Sequence, residues 1–286
     1  MRWSFRYRHN GADFYDLFGP TERSRAGDAL IVGYHRNFIY DPPRQLNLNV
    51  EAAYYTGLDT LPEAQEVQTQ FDTLGSVSAE LSYSNTTRSL GAVDHESGWR
   101  WDLAAGAERA NGETFPSVRG GIDFGVPLPI NNASAWLYSA AGTAGGDDAS
   151  PLSSFYMGAF GNNYVDDREV KRYREYYSFP GFEINEIDAP TFVRSVGEIN
   201  LPPLRFEDIG VDSIFLSSMR PAIFAGAMEI ERANGDRRSL QTVGVQTDWN
   251  FTVAHRLPMV LSLGYAEGFE DGESRGSEVL ISLKIM

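Results

Sequence analysis

The chain has 286 residues, a formal net charge of −15, 42% hydrophobic side chains and no cysteine. That acidic balance excludes a nucleic-acid surface, which needs a basic stripe, and the lack of cysteine excludes disulfide frameworks and thiolate metal sites. No run of about eighteen apolar residues occurs, so transmembrane helices are excluded, a test that membrane-crossing strands escape because their inner-facing polar residues dilute hydropathy.

The chain opens as Met1-Arg2-Trp3-Ser4-Phe5, directly in alternation and without the apolar stretch and cleavage site of a secretory signal. The expectation is therefore the C-terminal part of a longer envelope precursor. From there, a side-chain period of two runs through twelve predicted strands: 2–9, 28–39, 45–55, 74–84, 98–108, 116–128, 134–142, 192–201, 213–229, 240–253, 259–267 and 277–286. Leu46, Leu48, Val50, Ala52 and Tyr54 share one face, against Asn47, Asn49 and Glu51 on the other. Val77, Ala79, Leu81 and Tyr83 oppose Ser78, Glu80 and Ser82 in the same way, as do Trp99, Trp101 and Leu103 against Arg100 and Asp102. The last strand sets Val279, Ile281, Leu283 and Ile285 against Glu278, Ser282 and Lys284.

Segments of about nine to eleven residues with one oily and one polar face have the span of tilted transmembrane strands. Short turn-like connections, such as Tyr40-Asp41-Pro42-Pro43-Arg44 and Ala254-His255-Arg256-Leu257-Pro258, interleave with longer ones. That beat matches the short periplasmic turns and long external loops of such barrels. Gap 85–97 fits the beat poorly and invites an extra strand. Aromatics including Trp3, Tyr34, Tyr83, Trp99 and Tyr265 fall toward strand ends on the apolar face, as in interfacial girdles. The expected fold is an all-β, antiparallel transmembrane β-barrel with about twelve strands present, forming one domain over 1–286. A water-soluble β-sandwich binding module, which also alternates, is the structural alternative.

Segment 143–191 is too long for an ordinary connection. Its later part combines Phe155, Tyr156, Phe160, Tyr164, Tyr173, Tyr176, Tyr177, Phe179 and Phe182 with Arg168, Lys171, Arg172 and Arg174. Such a composition predicts an ordered plug or lid, with Arg172 or Arg174 reaching an inner-face carboxylate such as Glu198 or Asp248 through charge-assisted hydrogen bonds.

Five predicted strands follow this loop, a layout similar to the C-terminal barrel of the bacterial surface-antigen family, the BamA- and TamA-like outer-membrane assembly and secretion barrels. Aligned from the C-terminus, the twelve strands resemble strands five to sixteen of a sixteen-strand barrel. Ser178-Phe179-Pro180-Gly181-Phe182-Glu183, followed by Phe192-Val193-Arg194-Ser195-Val196-Gly197-Glu198, also looks like the barrel attached to TolB-like propeller proteins. In that family the long loop carries an Arg-Gly-aromatic tip folded into the lumen; its nearest equivalents are Arg172, Arg174, Gly181 and Phe182. The resemblance implies a non-enzymatic protein of the bacterial outer membrane, acting in transport, secretion or assembly of envelope proteins. It also implies contact with outer-membrane lipids, an upstream periplasmic domain, and unfolded or secreted proteins as partners.

Chemistry-bearing motifs are scarce. His9, His35, His95 and His255 form no His-x-x-x-His or His-Glu-x-x-His pattern, so no zinc site is expected. Gly-x-Ser-x-Gly and a phosphate-binding glycine loop are both missing. No catalytic, metal or cofactor residues are assigned. Asp94-His95-Glu96-Ser97-Gly98-Trp99 faintly evokes an outer-membrane lipid hydrolase, the functional alternative. Asp147-Asp148 and Glu270-Asp271-Gly272-Glu273 lack the regular spacing of a calcium loop and read as solvated acidic turns.

Overall fold

The computed structural model describes residues 1–9, 27–58, 71–89, 92, 94–162, 170–211 and 213–286. They form an antiparallel all-β protein. Seven strands lead: β1 (Arg2–His9), β2 (Asp28–Asp41), β3 (Arg44–Thr56), β4 (Leu74–Thr87), β5 (Ser97–Ala110), β6 (Glu113–Pro127) and β7 (Ser134–Ala144). Two short strands, β8 (Phe155–Met157) and β9 (Ile187–Ala189), pair with each other inside the long connection. Then come β10 (Thr191–Asn200), β11 (Leu204–Val211), β12 (Ile214–Glu231), β13 (Arg237–Val253), β14 (Leu257–Glu270) and β15 (Glu273–Ile285).

The main sheet runs β1 to β7 in chain order, then β10, β12, β13, β14 and β15, with β11 beside β12. All twelve predicted segments lie on this path. Two expectations need correcting. The connection 202–212, in which no strand is expected, contains β11, which continues alongside β12 after β10 leaves off. Pro202 and Pro203 interrupt the ladder there because proline carries no N–H to donate. Gap 85–97, by contrast, adds no strand among the described residues: β4 runs on to Thr87, and the Glu96 N–H returns to the Thr87 carbonyl at 3.0 Å.

Register fixes which residues share a face. Leu103 stands opposite Leu81 and Gly120, and Gly197 lies between Leu137 and Ala225. The face carrying Trp3, Phe5, Leu30, Tyr54, Val77, Leu103, Ile122, Val193, Val245 and Val279 is exposed on strand after strand. Its opposite face is where the long connection packs. A flat sheet would hold β6 and β15 roughly 29 Å apart, six strand spacings. Yet Tyr176 lies against Gly121 of β6, while Gly181, five residues on, bonds to Glu278 of β15. The sheet therefore curls around its own connection. β1 and β15 end the strand order, and among the described residues no ladder joins them.

Candidate functional site: a loop seated on the inner face

Burial on the inner face begins with aromatics. Phe160 and Tyr173 from the loop pack on Trp136, Tyr138, Val196, Phe224 and Ala266, and the Tyr173 ring stacks on Phe224 at 4.1 Å. Nearer the loop's roots, Phe155, Met157, Phe179, Phe182 and Ile187 cover Phe192, Met228, Ile230 and Leu240. Fully burying each such side chain contributes about 2 kcal/mol. Apolar contact is thus one part of what seats the segment.

Polar contacts then fix its position. Lys171–Arg174 forms a tight turn whose side chains reach β10. The Arg174 guanidinium donates to both oxygens of Glu198, at 2.8 and 2.5 Å, and to the Asp94 carboxylate at 2.8 Å. Its face lies 5.5 Å from the centre of the Tyr138 ring. The Lys171 ammonium donates to Asn200 and stands 3.9 Å from Asp94, with Asp248 facing it from β13. Burial pushes the Lys171 ammonium down to about 8. Asp94 sits on the β4–β5 connection outside the strands. Burial opposes its ionisation, but Arg174 and Lys171 outweigh that and hold its carboxyl well below the usual range.

Other strands bind the loop through its backbone. Arg194, 1% exposed, donates to the Tyr173 carbonyl at 2.6 Å. The Thr242 hydroxyl donates to the Pro180 carbonyl at 2.6 Å, and the Gln246 amide to the Val170 carbonyl at 2.9 Å. The Glu278 carboxylate accepts the N–H groups of Phe160 and Gly181, at 3.0 and 3.2 Å. Gly181 has φ +90°, and a Cβ there would run into the Gly268 backbone of β14, so only glycine permits this approach. Gly268 returns the constraint, since a Cβ on it would lie 2.6 Å from the Gly181 carbonyl oxygen.

Among the residues singled out from sequence, Arg174 and Glu198 meet, and Phe179, Gly181 and Phe182 are seated against the inner face. The other member of each pair of alternatives takes a different place. Arg172 turns to Glu175 within the loop, at 3.4 Å. Asp248 accepts from Gln246 at 2.7 Å and Ser262 at 2.8 Å rather than from a loop arginine. Sequence reading missed Asp94, Arg194, Asn200, Thr242, Gln246 and Glu278 as loop partners. For all but Asp94, the available signal was a polar residue at inner-face parity. Tyr164 and Arg168, counted among the loop's aromatic and basic residues, lie outside the described residues.

The Asp94-His95-Glu96-Ser97 stretch is engaged structurally. The His95 carbonyl accepts the Trp136 indole N–H at 3.1 Å, the Ser97 hydroxyl meets Thr87 at 2.8 Å, and Asn132 donates to Glu96 at 3.3 Å. Beside the loop, a cavity of about 370 Å³ remains against β3–β6, lined by Glu80, Arg100, Asp102, Arg119, Asp123 and Tyr176 among others. Arg100 pairs with Asp123 there at 2.5 Å, and Arg119 lies 4.4 Å over the Tyr176 ring. No protein-family model matches this chain, and no curated protein matches it.

Proposed function

We propose that the chain is the wall of an outer-membrane β-barrel whose 145–190 connection acts as its plug, in a non-enzymatic protein of transport, secretion or envelope-protein assembly. One observation carries the reading. The same strands bury charge and expose hydrocarbon: on β10, Arg194 and Glu198 are 1% and 2% exposed while Val193 is 56% exposed. A water-soluble sandwich turns its apolar face inward, because that burial drives folding. In a bilayer the outward apolar face costs nothing and the enclosed polar face needs internal partners, some of which the loop supplies to Arg194, Thr242, Gln246 and Glu278.

The resemblance to surface-antigen barrels remains a proposal of the same kind. It is supported by five main-path strands after the loop, β10 and β12–β15. Open strand edges are not tolerated in hydrocarbon, so the edges of β1 and β15, unpaired among the described residues, fit a path completed by further strands, as in a sixteen-strand barrel.

The test is orientation. Val50 stands on the outer face between Tyr34 and Ala79, and Asn49 on the inner face, where it bonds His35 at 2.7 Å. Val50→Arg should destabilise the detergent-folded protein by roughly 2–4 kcal/mol, and Asn49→Arg by less than about 1 kcal/mol. Equal losses at both positions, or no heat-dependent shift in gel mobility, would refute the membrane reading.

A further inference from the structure

The connection between β4 and β5 lies with the β2–β3, β6–β7 and β13–β14 turns at the end of the sheet opposite the roots of the long connection, yet it reaches inward to the loop. Asp94 is the contact. Its carboxylate takes the Arg174 guanidinium at 2.8 Å and lies 3.9 Å from the Lys171 ammonium, while the other side of Arg174 is held by Glu198. The cations are deeply buried: the Arg174 and Lys171 side chains are 11% and 5% exposed.

The rest of the connection is tied to its neighbour rather than to the loop. Glu96 accepts the Ser89 N–H at 2.9 Å and the Asn132 amide at 3.3 Å, and Trp136 holds the His95 carbonyl. Asn132 belongs to the β6–β7 turn. Two adjacent short turns thus form one polar-bonded body, and Asp94 is the charge by which that body grips the loop.

We propose that Asp94 is a latch: the position of the β4–β5 connection controls whether the 145–190 plug stays seated, so an event at that end of the sheet is transmitted to the loop. This rests on the plug reading. Withdrawing the turn strips Arg174 of a charged acceptor and Lys171 of a carboxylate, in a site too buried for water to replace them fully. A buried charge that loses its partner is strongly destabilising, and the escape from that state is for Lys171 and Arg174, with the loop, to leave the inner face. Because the coupling is an equilibrium linkage, it runs both ways: an unseated loop frees the turn.

The chain has no cysteine, so one introduced thiol reports without background. Ser178, on the loop itself, is fully buried against the inner face, beside Arg194. Ser178→Cys in the full-length protein, in outer-membrane vesicles, should react slowly with a membrane-impermeant maleimide. Adding Asp94→Asn should raise the rate about tenfold. Adding Lys171→Met to that pair should bring it back toward the starting rate, because one cation fewer then needs a partner. Asp41→Asn, on the exposed β2–β3 turn, should leave it unchanged. Should Asp94→Asn fail to assemble, Asp94→Glu keeps the charge and must both assemble and label slowly. Poor assembly or fast labelling of Asp94→Glu overturns the latch, as does an unresponsive rate in Asp94→Asn or no reversal by Lys171→Met. Fast labelling of Ser178→Cys alone overturns the plug itself, a separate and recognisable failure.

Discussion

The Arg174–Glu198 pair offers a sharp energetic test of whether the loop is anchored by charge. Arg174 makes two hydrogen bonds to Glu198, at 2.8 and 2.5 Å, and the Glu198 side chain is fully buried. Removing one partner of a buried ion pair typically costs about 3–5 kcal/mol, most of it the cost of stranding the other charge. The two single variants should not be equal. In Glu198→Gln the guanidinium keeps Asp94 at 2.8 Å, so the loss should fall at the low end, about 3 kcal/mol. In Arg174→Met two carboxylates, Glu198 and Asp94, are left to Lys171, so the loss should approach about 5 kcal/mol. The double variant removes both charges and should lie well short of the sum, with a coupling energy of about 2–3 kcal/mol. Denaturant unfolding in detergent, followed through the 5 tryptophans, measures all four proteins. Single losses below about 1 kcal/mol, or an additive double variant, would show that the aromatic seating holds the loop and the ion pair contributes nothing.

Gly181→Ala should unseat the loop tip, because its φ is +90° and its Cβ would meet the Gly268 backbone. The expected loss is more than about 1 kcal/mol, read as faster proteolysis within 145–190, and an unchanged cleavage rate would refute the close-approach argument. Lys171 gives a pH signature. Its folded pKa of about 8 lies below the free value of 10.5, so the unfolded chain binds the proton more tightly. Stability should therefore rise as pH climbs from about 8 to about 10.5, by up to about 3 kcal/mol, and stay flat in that group's contribution below about 8. Lys171→Met should abolish the rise, and a midpoint that falls over this window in both proteins would refute the assignment.

Strand positions were legible because a period of two survives in any environment that distinguishes two faces. Leu46 to Tyr54 and Val279 to Ile285 announce their strands whichever side meets solvent. β8 and β9 are three residues each, too short for a period to be read, and β11 is masked by Pro202 and Pro203, which look like a loop. The Arg174–Glu198 contact was half legible. Parity puts Glu198 and Asp248 on the same face, but it says nothing about which strand lies beneath the turn at 171–174. That azimuth depends on how the sheet curls, and it favours β10 over β13. Asp94 was out of reach altogether, since a turn residue has no parity.

The loop's own backbone explains why its fastening leaves so little trace in sequence. Arg194, Thr242 and Gln246 donate to the carbonyls of Tyr173, Pro180 and Val170, and Glu278 accepts the N–H groups of Phe160 and Gly181. Every residue carries a backbone carbonyl, so these contacts demand a chain path, not side-chain types, in 145–190. The specifying side chains sit on β10, β13 and β15, from Arg194 to Glu278, where they pass as ordinary polar members of alternating strands. An inner face rich in polar groups can be left uncovered in water, but once enclosed each unpaired donor or acceptor costs about 1–3 kcal/mol. A segment with many turns exposes its peptide groups sideways and can satisfy such a face piecemeal, as the breaks at Gly158, Lys171–Glu175 and Gly181 do here. Seating the loop therefore supplies partners to several strands of the wall at once, which is why displacing one charged contact such as Asp94 bears on the whole segment and not on a single bond.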